Sequence, residues 1–251
     1  MTSYVSALRR HVAADRADDR LDEVVVLRRC AQYRKAFRWA AVSYPVDVVH
    51  LDAAAAFVRR YGASVDVAGA YELEAAMSVG IDPFRVILHQ NDCSAVPVLE
   101  AVDAGVGRVV VDNAKSVALL AAATLRRQRV LIEVTDRPLD ALAQDVVSCE
   151  SLDLIGLHRR LSPGESGAAA VTAMIAAMGR IARRHGVIAA RLSLADVDVA
   201  EWDCEPADLR ALSAAIDDAV ETGCIAGQFP RPAVNLSPSR AALMPRAQRH
   251  W

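Results

Sequence analysis

Several side chains with chemical capacity stand at or just beyond the ends of apolar runs: Ser43, Asp66, His89, Asp112, His158 and the Arg159-Arg160 pair. Carboxylates and imidazoles at such places serve as acids, bases or ligands, and guanidinium forks match carboxylate or phosphate. Ser43 with His158 offers a nucleophile and a base. No third residue orients that histidine, and no nucleophile-elbow glycines flank Ser43. The plainer reading of Asp66, Glu72, Asp112 and His158 is that they satisfy backbone groups and neighbours, and the plainer reading of Arg159-Arg160 is a solvated or salt-bridged pair. Amine chemistry has only Lys35 and Lys115 to draw on. The five cysteines, Cys30, Cys93, Cys149, Cys204 and Cys224, form no C-x-x-C pair, so neither a zinc site nor a redox motif is indicated. Free thiols suit a reducing cytoplasm. Asp15, Asp18, Asp19 and Asp22 are too interspersed with arginine to form a metal loop. No catalytic residue and no metal ligand is assigned from these residues alone.

The elements that must hold these residues alternate along the chain. Short apolar runs predict strands at about 38–43, 64–69, 85–90, 108–112, 129–135, 152–158, 189–194 and 232–237. Several, such as Val109-Val110-Val111 and Val130-Leu131-Ile132, are apolar without interruption, as parallel strands covered on both faces require. Alanine-rich runs predict helices at about 51–61, 70–79, 94–104, 114–127, 164–185 and 206–222, with a weaker one at 139–149. Gly62, Gly80, Gly105, Gly186 and Gly223 follow helical runs, where a left-handed C-cap favours glycine. Eight strand–helix units predict an α/β fold, a (β/α)8 TIM barrel, over residues 38–242. An open doubly wound sheet is the alternative, but no G-x-G-x-x-G follows a strand. Residues 1–37 read as an N-terminal extension, with a helix at about 4–14 and an apolar run Val24-Val25-Val26-Leu27. Residues 243–251 read as a short tail.

The net charge of −2 predicts no field that draws nucleic acid or an anionic membrane, and no stretch is long and apolar enough to span a bilayer. Arginine replaces nearly all lysine, which is read as genomic base composition rather than function.

Four segments carry a family resemblance. Val65-Asp66-Val67-Ala68-Gly69-Ala70-Tyr71-Glu72-Leu73-Glu74-Ala75-Ala76 resembles the VDVAS-x-x-ELEAA segment of the ornithine/diaminopimelate/arginine decarboxylases. The run from Gly80 to Asn91 is similar to that family's GIDPERIIFHGNN. Gly105-Val106-Gly107-Arg108-Val109-Val110-Val111-Asp112 resembles GVGxIVVDS, and Leu154-Ile155-Gly156-Leu157-His158 resembles LxGLH. The order holds over residues 38–242, ending at Pro238 and Arg240, where the family carries a strand ending in EPGR. The resemblance implies a barrel of the alanine-racemase N-terminal type, made for pyridoxal phosphate. The family's β-domain is expected to be absent, since the chain ends soon after the barrel.

The resemblance also implies where the cofactor positions fall. The Schiff-base lysine matches Ser43, or Tyr44 in a register shifted by one. The histidine that stacks on the cofactor ring matches Arg160. The glycine-rich phosphate loop matches Ser193 to Asp196, and the acidic partner of the pyridine nitrogen matches Ser237. A hydroxyl makes no Schiff base, side chains obstruct the close approach that glycines allow, and the ring is a poorer electron sink without its acidic partner. These are former cofactor-site positions, and Asp66, His89, Asp112, His158 and Arg240 are the candidate pocket. No cofactor is expected beyond what the family implies. Two functions stay open. One is a non-catalytic binding or regulatory homologue, pairing with its own copies or with a related decarboxylase. The other is an enzyme, either still dependent on pyridoxal phosphate or with its mouth re-used for other chemistry around Asp66, His158 and Arg160.

Overall fold

The computed structural model describes residues 23–90, 95–135, 138–198 and 206–244. Eight parallel strands close into a barrel in chain order. They are β1 (Ala41–Pro45), β2 (Ser64–Val67), β3 (Val86–His89), β4 (Arg108–Val111), β5 (Gln128–Glu133), β6 (Leu152–Arg160), β7 (Arg191–Ala195) and β8 (Ala233–Leu236). The helices between them are α2 (Asp52–Tyr61), α3 (Ala70–Ser78), α4 (Ala95–Ala104), α5 (Ala114–Ala123), α6 (Leu139–Val147), α7 (Gly167–His185) and α8 (Pro206–Gly227); α1 (Glu23–Ala36) precedes β1 and α9 (Arg240–Leu243) follows β8. All eight expected strands are present, and the open doubly wound sheet is ruled out by the β1–β8 pairing of Ala41 with Asn235 and Val42 with Leu236. The helix expected at 4–14 lies outside the described residues.

Alternation along the strands explains why both faces are apolar. Val86, Leu88, Val109, Val111, Val130 and Ile132 point outward into the main core under the helices. Ile87, Val110 and Leu131, with Ile155 against them, form a separate cluster in the barrel interior. Residues two apart share a face, so β4 presents Arg108, Val110 and then Asp112 inward, and β5 presents Arg129, Leu131 and then Glu133. The apolar cluster is thus a plug with an arginine layer at its N-terminal side and a polar layer at its C-terminal side.

The apolar run Val24–Leu27 is helical, in α1, which buries Val26, Cys30 and Tyr33 against the barrel. The Tyr33 hydroxyl donates to the Val197 carbonyl at 3.1 Å, and the Tyr44 hydroxyl donates to the Cys30 carbonyl at 2.8 Å. Burial, then the neighbouring Cys30, pushes the Tyr44 hydroxyl well above its ordinary value. Tyr44→Phe is expected to cost about 1 kcal/mol in urea unfolding, the typical worth of one such bond, with the far-UV circular dichroism unchanged.

Glycine positions divide. Gly62 and Gly186 end their helices at φ 58° and 69°, as left-handed caps should. Gly223 is not a C-cap: α8 runs through it to Gly227, and a Cβ there would stand 3.1 Å from Ile175 Cδ1 on α7. It serves close helix packing instead of chain reversal.

Candidate functional site

The C-terminal strand ends carry a buried polar network. Ser43 faces inward and is fully buried, and its Oγ accepts from Asn235 Nδ2 at 3.0 Å. Tyr44, one residue on, faces outward to α1. Asp66 on β2 is held on both carboxylate oxygens: His89 Nε2 lies 3.1 Å from Oδ1, and Ser237 Oγ donates to Oδ2 at 2.7 Å. The His89 and His158 rings meet edge to face, with centroids 4.7 Å apart. His158 Nδ1 lies 3.0 Å from Ser193 Oγ. The chain of contacts from Ser193 through His158, His89 and Asp66 to Ser237 therefore crosses β7, β6, β3, β2 and the end of β8.

Burial sets the electrostatics of this network. Desolvation pushes His158 well below its ordinary value; His89 and Arg160 add to that and Asp66 opposes it. The imidazole is neutral at physiological pH. Burial works to raise the Asp66 carboxyl, but His89, Ser43 and Ser237 outweigh it and hold it below its ordinary value. His158 Nε2 and Asn235 Oδ1 are buried without a hydrogen-bond partner.

Above the network lies a cavity of about 230 Å3, lined by Asp66, His89, Arg160, Asp196, Ser237 and Arg240 among others. That is below the roughly 300–1,000 Å3 usual for small-molecule sites. Its two arginines are engaged: Arg160 Nη1 lies 3.1 Å from Asp196 Oδ2, and Arg240 Nε lies 3.4 Å from Asp47 Oδ1. Arg159 is paired with Glu165 at 2.7 Å. Four carboxylates, Asp47, Asp66, Glu72 and Asp196, face two arginines here. Asp196 has φ 57°, left-handed backbone that a glycine adopts without strain and that aspartate tolerates better than most residues. Asp196→Gly is expected to leave stability within about 1 kcal/mol of the parent, relief of that backbone offsetting the exposed ion pair; a thermal melt checks it.

The structure brings Asp66, His89, Arg160, Asp196, Ser237 and Arg240 to one cavity. Ser43, Tyr44, Ser193 and His158 do not line it. Asp112 lines a different hollow of about 190 Å3 with Glu133 and Asn113. No lysine lines either cavity: Lys35 lies at the opposite mouth, and Lys115 is exposed on the first turn of α5. Sequence reasoning missed Asn235, whose partner Ser43 lies far away in the chain, and Asp47 and Glu165, whose ion pairs had no motif to mark them. Among the described residues no group of three or more His, Cys, Asp or Glu could hold a metal ion, and no helix is long and apolar enough to cross a membrane.

A closed eight-stranded barrel with this order of motifs defines a decarboxylase-type barrel. Residues 23–144 match the family model described as pyridoxal-dependent decarboxylase, pyridoxal binding domain, and the chain is related to the ornithine/diaminopimelate/arginine decarboxylase family. Over 115 residues it is 36% identical to a diaminopimelate decarboxylase of Actinosynnema pretiosum subsp. auranticum, a match covering 46% of this chain and 26% of that protein. In fold it is similar to a lysine decarboxylase from Selenomonas ruminantium, with TM-score 0.72 and 20% identity over 88% of this chain and 61% of that one. It is likewise similar to the Paramecium bursaria Chlorella virus arginine decarboxylase bound to agmatine, with TM-score 0.72 and 14% identity over 95% of this chain and 68% of that one. The chain thus matches about a quarter of the curated relative's length and about three fifths of the lysine decarboxylase's.

Proposed function

We propose that this barrel is a non-catalytic relative of the amino-acid decarboxylases, in which the C-terminal mouth no longer fits pyridoxal phosphate. The observation that carries the reading is Ser43. It takes the inward position on β1 that the family gives to its lysine, it is fully buried, and its hydroxyl is committed to Asn235. Three further features support it. Arg160 is engaged by Asp196, a carboxylate in the left-handed loop position where a phosphate would need glycine. Ser237, at the place of the acidic ring partner, donates to Asp66 and is not free to hold a pyridine nitrogen. Carboxylates outnumber arginines around the cavity, which repels a phosphate dianion. The mouth re-used for other chemistry is less well supported, because His158 sits beneath the cavity rather than in it.

The chain would then act as a binding or regulatory partner of its own copies or of a related decarboxylase. Tyr71 and Met77 on α3 and Val96 and Leu99 on α4 are exposed apolar side chains available to such a partner. The function is tested by supplying pyridoxal phosphate with diaminopimelate, lysine, ornithine or arginine and measuring carbon dioxide release. No cofactor-dependent release is expected. Turnover that requires added cofactor and is abolished by Asp66→Asn would overturn the reading.

A further inference from the structure

A further cavity lies at the other end of the barrel, under the N-terminal ends of the strands. It measures about 850 Å3. Arg108, Arg129 and Arg191, each at or next to the first residue of β4, β5 and β7, form its roof, just below the apolar plug. Arg34, Lys35 and Arg38 enter from the C-terminal end of α1, and Arg85 from the turn before β3. Among the described residues, seven cations and no carboxylate line this space. None of the seven forms an ion pair with a described residue. Three of them, Arg34, Lys35 and Arg38, come from one short segment at the end of α1, and closure of the barrel brings Arg85, Arg108, Arg129 and Arg191 from four separate places in the chain to meet it.

What holds these arginines in place without carboxylates is neutral. Arg108 Nη2 donates to Ser64 Oγ at 2.7 Å. The Arg34 guanidinium lies 3.9 Å from the Tyr61 ring centroid, and that of Arg129 lies 5.0 Å from the Phe84 centroid. Such stacking orients a guanidinium and leaves its N–H fork free for a second partner. Burial lowers Arg108 from its ordinary value, and the neighbouring Arg191, Arg85 and Arg129 add to the effect while Asp66 opposes it. Like charges gathered around a concave space repel one another, and an anion bridging them removes that cost. Part of the wall is apolar, with Phe37, Val42, Phe57 and Ala63, so the space takes an organic body as well as charge.

We propose that this N-terminal mouth is a binding site for a polyphosphorylated small molecule of nucleotide size, its phosphates on Arg108, Arg129 and Arg191 and its organic part against the apolar wall. Arginine forks pair with phosphate oxygens two at a time, which fits a ligand with several phosphate groups better than a single carboxylate. The site is independent of the C-terminal mouth, from which the Ile87, Val110 and Leu131 cluster separates it.

The test is isothermal titration of the full chain with ATP, pyrophosphate and adenosine, without divalent metal, at 0.15 M sodium chloride. ATP is expected to bind saturably at one site, pyrophosphate about tenfold or more weaker, and adenosine not measurably. Arg108→Ala with Arg191→Ala should weaken ATP at least about tenfold. Arg34→Glu with Arg38→Glu, both exposed at the end of α1 and in the turn after it, should do the same with an unchanged melting profile, which covers the case in which the strand variant does not fold. Arg160→Ala, at the other mouth, should leave ATP affinity unchanged. The proposal is overturned if ATP fails to bind at 1 mM, roughly the weak end of useful affinity. It is equally overturned if ATP binds the Arg34→Glu, Arg38→Glu chain as tightly as the parent, or if Arg160→Ala abolishes binding.

Discussion

Asp66→Ala is expected to lower the unfolding free energy by about 3–5 kcal/mol, the usual cost of removing one partner of a buried charged network. His89 and Ser237 are 4% and 6% exposed, and both spend a polar atom on the Asp66 carboxylate. With alanine neither finds a replacement, and each buried orphan costs about 1–3 kcal/mol. Asp66→Asn keeps one acceptor oxygen and is expected to cost less, about 1–2 kcal/mol. Urea unfolding of both variants decides the matter. A loss under about 1 kcal/mol for Asp66→Ala would mean that the carboxylate is well solvated and available to a ligand. That would weaken the proposal that this end of the barrel has turned from chemistry to structure.

His158 is expected to make the fold acid-sensitive above the range in which carboxylates titrate. Its native value is depressed well below 6.5, so from about pH 6.5 downward the unfolded chain binds a proton that the native chain refuses. Stability from this residue is complete above the unfolded value. It falls with pH by up to about 1.4 kcal/mol per unit until the native value is reached. His158→Gln keeps a hydrogen-bonding group toward Ser193 and does not titrate, so its unfolding free energy should be flatter between about pH 6.5 and 4.5. Over that span the parent should lose more stability than the variant. Asp66 acts in a different window: its native value is depressed, so its contribution persists above the unfolded carboxylate value and disappears only as pH falls below about 4. Equal slopes in the parent and His158→Gln would show that the imidazole is not held neutral by the fold.

The barrel was legible because uninterrupted apolar runs such as Val109–Val111 alternate with alanine-rich helices, a pattern parallel strands need and little else repeats eight times. The polar layer was legible one residue at a time: Asp66, His89 and His158 stand where strands end. Which of them meet was not. Asp66 lies within β2 and Asp112 just past the end of β4, and with β3 between them they open on different hollows. Motif matching left Ser43 and Tyr44 as alternatives for one position. Strand alternation separates them, sending Ser43 to Asn235 and Tyr44 to Cys30. The arginine-rich mouth was hidden for a different reason. Arginine is abundant throughout the chain, and its use was read as base composition. Arg108, Arg129 and Arg191 each sit at the start of an apolar strand, a recurrence that becomes a site only once the barrel closes.

Covalent trapping tests the central claim most directly. The Lys35→Arg chain, whose remaining lysine is Lys115, is incubated with pyridoxal phosphate, reduced with borohydride, digested and mapped by mass spectrometry. Removing Lys35 excludes capture at the basic mouth, which is a separate question. No stoichiometric reducible adduct is predicted, because Ser43 presents a hydroxyl and no amine lines the C-terminal cavity. A stoichiometric pyridoxyl group on Lys115 that is lost when Asp66, which lines the C-terminal cavity, is changed to Asn would contradict the account and return that mouth to cofactor chemistry.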